Sequence, residues 1–401
     1  MKQTMLKAVS FLAVLVLFGC AFAACKKETA LSVTGLETIH ETEFGGVYIR
    51  ITIDDFNRKG FAYGDSVDVE FSNGYKLEDI PYYNGYYVDA GEALLIAYPG
   101  YDYVKAAINY GEDLWEKAEL QQSLPLQAAA PEQNARTDLF LTAALDGHST
   151  ASIKLRERGK YLDIQNARDI HYRDEREEFP SDEVFANFRN MTAGQLKPGA
   201  VYRSASPCDN QHNRAPYVDR LIADAGIRCI LDLADNDAKI RKYITSEDFD
   251  SPYFLSLYES GQVVPLALNM NYLSEEFRRK IAEGFIVMSE SEGPYLIHCT
   301  EGKDRTGFVC MLIEALAGAS YQEIADDYML TYDNYYKITE KSDKAKYDVI
   351  LEKNLVAMLK TVVGNRDADL EKTDLSLAAR AFLKGSGMTD DEIDRFLDRI
   401  R

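Results

Sequence analysis

Positive charge is what this 401-residue chain has too little of: 45 lysines and arginines stand against 65 aspartates and glutamates, a formal net charge of −20. A surface that acidic repels phosphate backbones, which excludes nucleic acid as a partner and makes polyanionic membrane surfaces poor ones. Cysteine is sparse, 6 in all. Cys20 and Cys25 sit near the start, and Cys208, Cys229 and Cys310, leaving Cys299 aside, form an odd set without short spacing, so no disulfide framework is expected. Beyond the first 25 residues no apolar run approaches the roughly 20 residues that cross a bilayer. No internal repeat is evident.

What is present begins with a leader. Lys2 and Lys7 make a basic start, residues 8–18 are apolar and uncharged, and small residues and cysteines follow up to Cys25. That order is a secretory signal and not part of the fold. Leu17-Phe18-Gly19-Cys20 resembles a bacterial lipobox, which implies lipidation of Cys20; Cys25, after Ala23-Ala24, is the second candidate. Cleavage after Ala23, giving a secreted protein, is the alternative. The expected location is extracytoplasmic, with membrane attachment only through a lipid anchor on the bacterial cell membrane.

The most informative stretch is His298-Cys299-Thr300-Glu301-Gly302-Lys303-Asp304-Arg305-Thr306-Gly307. Apolar Tyr295-Leu296-Ile297 leads in and an apolar, helix-like run, 308–316, leads out. Strand, tight loop and helix make successive N–H groups converge on an anion, aided by the positive end of the helix dipole. A cysteine at the mouth of that nest is expected to act as a thiolate. Arg305 can grip two phosphate oxygens at once. The bland reading, a core cysteine beside a surface arginine, does not account for the flanking histidine, the internal glycine and the Thr-Gly that follows.

The decapeptide resembles the signature of the cysteine-dependent tyrosine phosphatases, in the form found in bacterial enzymes of broad, dual-specificity behaviour. The likeness continues through Asn187-Phe188-Arg189, Leu196-Lys197-Pro198-Gly199, Val201-Tyr202-Arg203-Ser204-Ala205-Ser206-Pro207, Ile230-Leu231-Asp232-Leu233 and Asp327-Tyr328-Met329-Leu330. One departure stands out: Ala234 follows Asp232-Leu233 where relatives carry arginine. The resemblance implies Cys299 as nucleophile, forming a cysteinyl-phosphate that water hydrolyses. Arg305 and the backbone of Thr300, Glu301, Gly302, Lys303 and Asp304 would hold the phosphoryl oxygens, Thr306 would donate to the sulfur, and His298 would order the loop from behind. No metal or organic cofactor is implied.

The general acid is less legible. Many relatives place an aspartate on a mobile loop some thirty residues before the cysteine, but residues 263–271 hold no carboxylate. Asp304 is the candidate, against a structural role paired with Lys303 or Arg305; Asp235 and Asp237 come next. Lys303 suits a polyanionic ligand and Glu301 repels one, so a phosphorylated protein or peptide is the expected partner, phosphotyrosine ahead of inositol polyphosphates. A phosphate-binding module without turnover is the competing reading from another class.

The expected organisation is a leader, 1–25, a β-rich domain of unknown role, 26–175, and a phosphatase-like α/β domain, 176–401, with a mostly parallel sheet flanked by helices. In the β-rich part, Val47-Tyr48-Ile49-Arg50-Ile51-Thr52-Ile53 and Ser66-Val67-Asp68-Val69-Glu70-Phe71 read as strands. Asn73-Gly74 and Asn84-Gly85 read as hairpin turns. Residues 114–134 look like a polar interruption, and 139–145 and 151–155 return as strands. Residues 63–67 through 108–111 resemble the small β-barrel domain of S-adenosylmethionine hydrolases, whose nucleotide-binding domain is not evident. The crowded tyrosines there are expected to pack within the sheet, with a carbohydrate- or peptide-binding surface as the alternative.

Overall fold

The computed structural model describes residues 31–401 except 43–44, 90, 110–111, 122–148, 171–172, 270 and 273. The leader with Cys20 and Cys25, the expected strand 139–145 and most of the polar interruption therefore lie outside the described residues.

Seven strands close into a barrel: β1 (Ser32–Glu41), β2 (Gly46–Thr52), β3 (Ser66–Phe71), β4 (Lys76–Tyr83), β5 (Ala93–Ile96), β6 (Tyr103–Ile108) and β7 (Thr150–Glu157), in the order β1-β2-β6-β5-β4-β3-β7. Alternation makes the interior, since Val47, Ile49 and Ile51 of β2 and Val67, Val69 and Phe71 of β3 all point inward. Two short helices complete this core, α1 (Ile53–Arg58) with Phe56 and α2 (Leu114–Lys117) with Trp115. Thr52 ends β2 one residue early because its hydroxyl caps α1 at Asp55 N.

Asn73-Gly74 makes the expected hairpin between antiparallel β3 and β4. Asn84-Gly85 does not. β5 pairs parallel to β4, so the chain does not reverse into an adjacent antiparallel strand at that point. Turn chemistry specifies a local reversal, and here the strand partner is set by closing the barrel.

The second sheet has five strands: β8 (Arg189–Asn190), β9 (Val201–Ser204), β10 (Cys229–Asp232), β11 (Val263–Pro265) and β12 (Tyr295–His298). Their order is β11-β10-β12-β9-β8. Pairings β11/β10, β10/β12 and β12/β9 are parallel, and β9/β8 is antiparallel. The helices are α3 (Leu162–Arg168), α4 (Asp182–Phe185), α5 (Ala215–Asp224), α6 (Asp237–Ile244), α7 (Pro252–Glu259), α8 (Glu275–Glu290), α9 (Asp304–Leu316), α10 (Tyr321–Tyr336), α11 (Lys344–Ile350), α12 (Ala357–Val363), α13 (Leu375–Gly385) and α14 (Asp390–Ile400).

Both faces of this sheet are covered, as parallel strands require. Leu231 and Ile297 face the larger core, with α8, α9 and α14, while Ile230 and Leu296 face a smaller one with α5 and α7. α9 is buried on all sides from Thr306 to Leu316, as a helix apolar around its circumference should be. Its first turn is thereby fixed at the carboxyl end of β12, where open α/β sheets place their ligands.

Candidate active site

Residues 299–303 link β12 to α9, and their carbonyls are tied to the scaffold. Thr300 O accepts from Ser206 N at 3.1 Å and Glu301 O from the Tyr335 hydroxyl at 2.7 Å. Gly302 O accepts from Arg203 Nη2 at 3.1 Å and Asn187 Nδ2 at 3.2 Å. Gly302 has φ +66°, and a Cβ there would lie 2.1 Å from Ser204 O, so only glycine fits. The N–H groups of Thr300, Gly302, Asp304 and Arg305 have no protein acceptor among the described residues. Carbonyls outward and amides unclaimed at a helix start make an anion nest. Cys299 lies at its base, 3% exposed, and the Arg305 guanidinium is held by Leu268 O at 3.2 Å.

A buried ionic cluster stands behind the loop. Asp327 receives Arg189 Nε at 2.7 Å and Arg203 Nη1 at 2.5 Å, and Arg189 also reaches Asn187 Oδ1 at 2.6 Å. Burial opposes the Asp327 charge, but the two guanidiniums win and hold its carboxyl well below the usual carboxylate range. Glu314, one step deeper, is pushed well above that range by burial and then by the Asp327 charge. Asn187, Arg189, Arg203 and Asp327 all lie in sequence stretches that carry the family likeness. Their convergence on the Gly302 carbonyl was invisible there because it is purely tertiary.

His298 is fully buried, its Nδ1 3.4 Å from Cys299 O and its Nε2 3.9 Å from Asp232 Oδ2. It lies behind the loop. Asp232 also accepts the N–H groups of Ala234 and Asp235, at 2.9 and 3.1 Å. The Thr306 hydroxyl corrects an expectation: it is buried and makes no hydrogen bond, to the sulfur or to anything else among the described residues. Asp304 is 47% exposed and 3.8 Å from Lys303 Nζ, which sits closer to Glu301, at 2.9 Å. The expected alternative pairing of Asp304 with Arg305 is not formed among the described residues. Asp235 is buried against Lys239 at 2.7 Å, and Asp237 pairs with Arg241 at 2.9 Å. Neither reaches the cavity described next.

That cavity, about 720 Å³, opens beside the loop between the two halves of the chain. Glu301, Lys303 and Asp304 form one side, Tyr272, Tyr328 and Tyr332 another, and Tyr86, Tyr87, Asp89 and Tyr98 of the barrel a third. Arg168 of α3 and Lys353 and Asn354 complete the wall. The last two belong to a π-helical turn, Leu351–Val356, a widening that often marks functional sites. Asn354 Nδ2 donates to the Tyr332 hydroxyl at 2.8 Å. Cys299 and Arg305 lie outside this wall, so the cavity adjoins the nest and does not contain it. Tyrosines 86, 87 and 98, for which sheet packing was expected ahead of a carbohydrate- or peptide-binding surface, line this cavity.

Cys208, Asp232 and Asp235 bring ligand-type atoms within 4.8 Å of one another. Burial, and then the Asp232 charge, push the Cys208 thiol well above its ordinary value. All four described cysteines are free. No helix of the described residues is long and apolar enough to cross a membrane.

Comparison with curated proteins finds no match. Among solved structures, the core catalytic domain of the PP-IP phosphatase SIW14 from S. cerevisiae, in complex with citrate, is 21% identical. The match covers 44% of this chain and 91% of that one at a TM-score of 0.25, too low to carry an argument. The tyrosine phosphatase family matches residues 161–401, from α3 through both cores of the second sheet to the last helix. Over that majority of its length the chain belongs to the tyrosine phosphatase family, hydrolases of phosphate esters.

Proposed function

We propose that this chain hydrolyses phosphotyrosine, and secondarily phosphoserine or phosphothreonine, in proteins outside the cytoplasm. The observation that carries the reading is the loop whose carbonyls are bound backward while its amides stay unclaimed above Cys299. The Cys299 sulfur attacks phosphorus, the P–S bond forms and the P–O bond breaks, with Arg305 and the loop amides holding the three equatorial oxygens. Asp304 gives its proton to the departing oxygen and takes one from the water that then splits the P–S bond. Its exposure and weak pairing suit a group that must meet substrate and water. Export, with lipid attachment at Cys20 or Cys25, follows from the leader in this reading.

A second reading, phosphate release from inositol polyphosphates, draws support from Arg168, Lys303 and Lys353 around the cavity. Against it, Lys303 and Lys353 already stand beside carboxylates, Glu301 at 2.9 Å and Asp89 at 3.3 Å. The deciding experiment is phosphate release from a phosphotyrosine peptide, a phosphoserine peptide and phytate, with Cys299→Ser as blank. Fastest Cys299-dependent release from phosphotyrosine supports the proposal, and fastest release from phytate replaces it. No release, and no cysteinyl-phosphate trapped in a single turnover, leaves a binding module.

A further inference from the structure

The cavity beside the loop is lined by one arginine that forms no ion pair among the described residues. Lys353 and Lys303 have carboxylates at hand. Arg168, the last residue of α3, has its guanidinium over the Tyr87 ring, 5.4 Å from the centroid. Its Nε is buried without a hydrogen bond, and it forms no ion pair among the described residues. A guanidinium with a sheltered Nε and no ion pair gains a hydrogen-bonding and charge partner when an oxyanion docks on it. Arg168 also shares its surroundings with the reaction loop. Tyr328 and Tyr332, whose hydroxyls burial pushes up, feel Asp304 raising them further and Arg168 opposing.

We propose that Arg168, braced on Tyr87, is a second oxyanion subsite that receives an acidic side chain flanking the phosphotyrosine of a peptide substrate. The assignment rests on the phosphotyrosine reading above. A carboxylate fits better than a second phosphate for two reasons. One arginine without an ion-pair partner among the described residues matches a single negative charge, and Asp89, Asp169 and Asp304 on the same cavity repel a dianion more strongly than a monoanion. The planar guanidinium fork also matches a carboxylate edge to edge. The barrel acquires a role in this way: its Tyr87 supplies the ring that orients the guanidinium of Arg168, so the subsite is shared between the barrel and the phosphatase part.

The test uses the full chain and three matched phosphotyrosine peptides with Glu, Gln or Lys beside the phosphotyrosine. kcat/KM is measured for wild type, Arg168→Ala, Arg168→Lys and Tyr87→Ala, and phytate turnover is measured alongside. The readout is the Glu-to-Gln ratio within each protein, so any general loss of folded enzyme cancels. The expected ratio is about tenfold in wild type, near one in Arg168→Ala and intermediate in Arg168→Lys, where charge remains and the fork is lost. A wild-type ratio near one, or a ratio unmoved by Arg168→Ala, overturns the subsite alone. Loss of phytate turnover in Arg168→Ala with an unchanged peptide ratio makes the anion a phosphate and overturns the carboxylate assignment. Wild-type failure on all three peptides removes the phosphotyrosine reading and this subsite with it.

Discussion

Behind the loop, Asp327 is gripped by two guanidiniums at 2.5 and 2.7 Å; in front, Asp304 has Lys303 at 3.8 Å as its ion-pair partner and lies half in water. The same residue type serves two ends. The rear carboxylate fixes Arg203, which holds the Gly302 carbonyl, and Arg189, which holds Asn187 against that same carbonyl, so its value lies in immobility. The front carboxylate has freedom to exchange a proton. Charge buried and fully paired builds the nest, and charge left loose beside it is available for chemistry.

Breaking the rear pair should have the largest effect. Asp327→Asn leaves two buried guanidiniums short of a counter-charge and should lower unfolding free energy by about 3–5 kcal/mol, read from urea denaturation. A loss under about 1 kcal/mol would mean that the cluster is not the support described. Asp304→Asn should do the reverse. Stability should stay within about 0.5 kcal/mol, while turnover of substrates with poor leaving groups falls ~10²-fold and that of nitrophenyl-type substrates far less. Equal loss on both would reject the acid role.

The smallest effect sharpens the comparison within the rear cluster. Asp327 is depressed below its unfolded value of about 3.9, so its contribution is present above that pH and lost as pH falls through the folded value. Glu314 is raised, so the folded state keeps a proton that the unfolded chain releases above about pH 4.3, and stability declines as pH rises towards the folded value. Glu314→Gln should therefore flatten the high-pH side of a urea-midpoint profile and leave the acid limb standing. An unchanged high-pH slope would show that Glu314 does not keep its proton.

Much of the front was legible in the sequence because it is contiguous: one decapeptide supplies Cys299, Gly302, Asp304 and Arg305. Strands β2 and β3 were legible for the same local reason, alternation over six or seven residues. The rear cluster was not, since Asn187, Arg189, Arg203 and Asp327 come from four separate places and meet only once the sheet is assembled. Asn84-Gly85 misled because a turn signal says nothing about which strand follows. Thr306 was assigned a bond to sulfur that its buried hydroxyl does not make. Arg168 gave no functional signal, since the charged stretch it opens, 168–178, reads as a linker into the phosphatase domain.

The parallel pairing of β4 with β5 has one more consequence. The segment between β4 and β5 is anchored at both ends, because the strands it joins are held in hydrogen-bond ladders. A segment held that way tolerates insertions cheaply, at about 0.6 kcal/mol for each doubling of length. The height of the wall facing the phosphatase loop is therefore an adjustable dimension of this architecture: descendants could deepen or flatten the approach to Cys299 by adding or removing residues there, with barrel and nest both untouched.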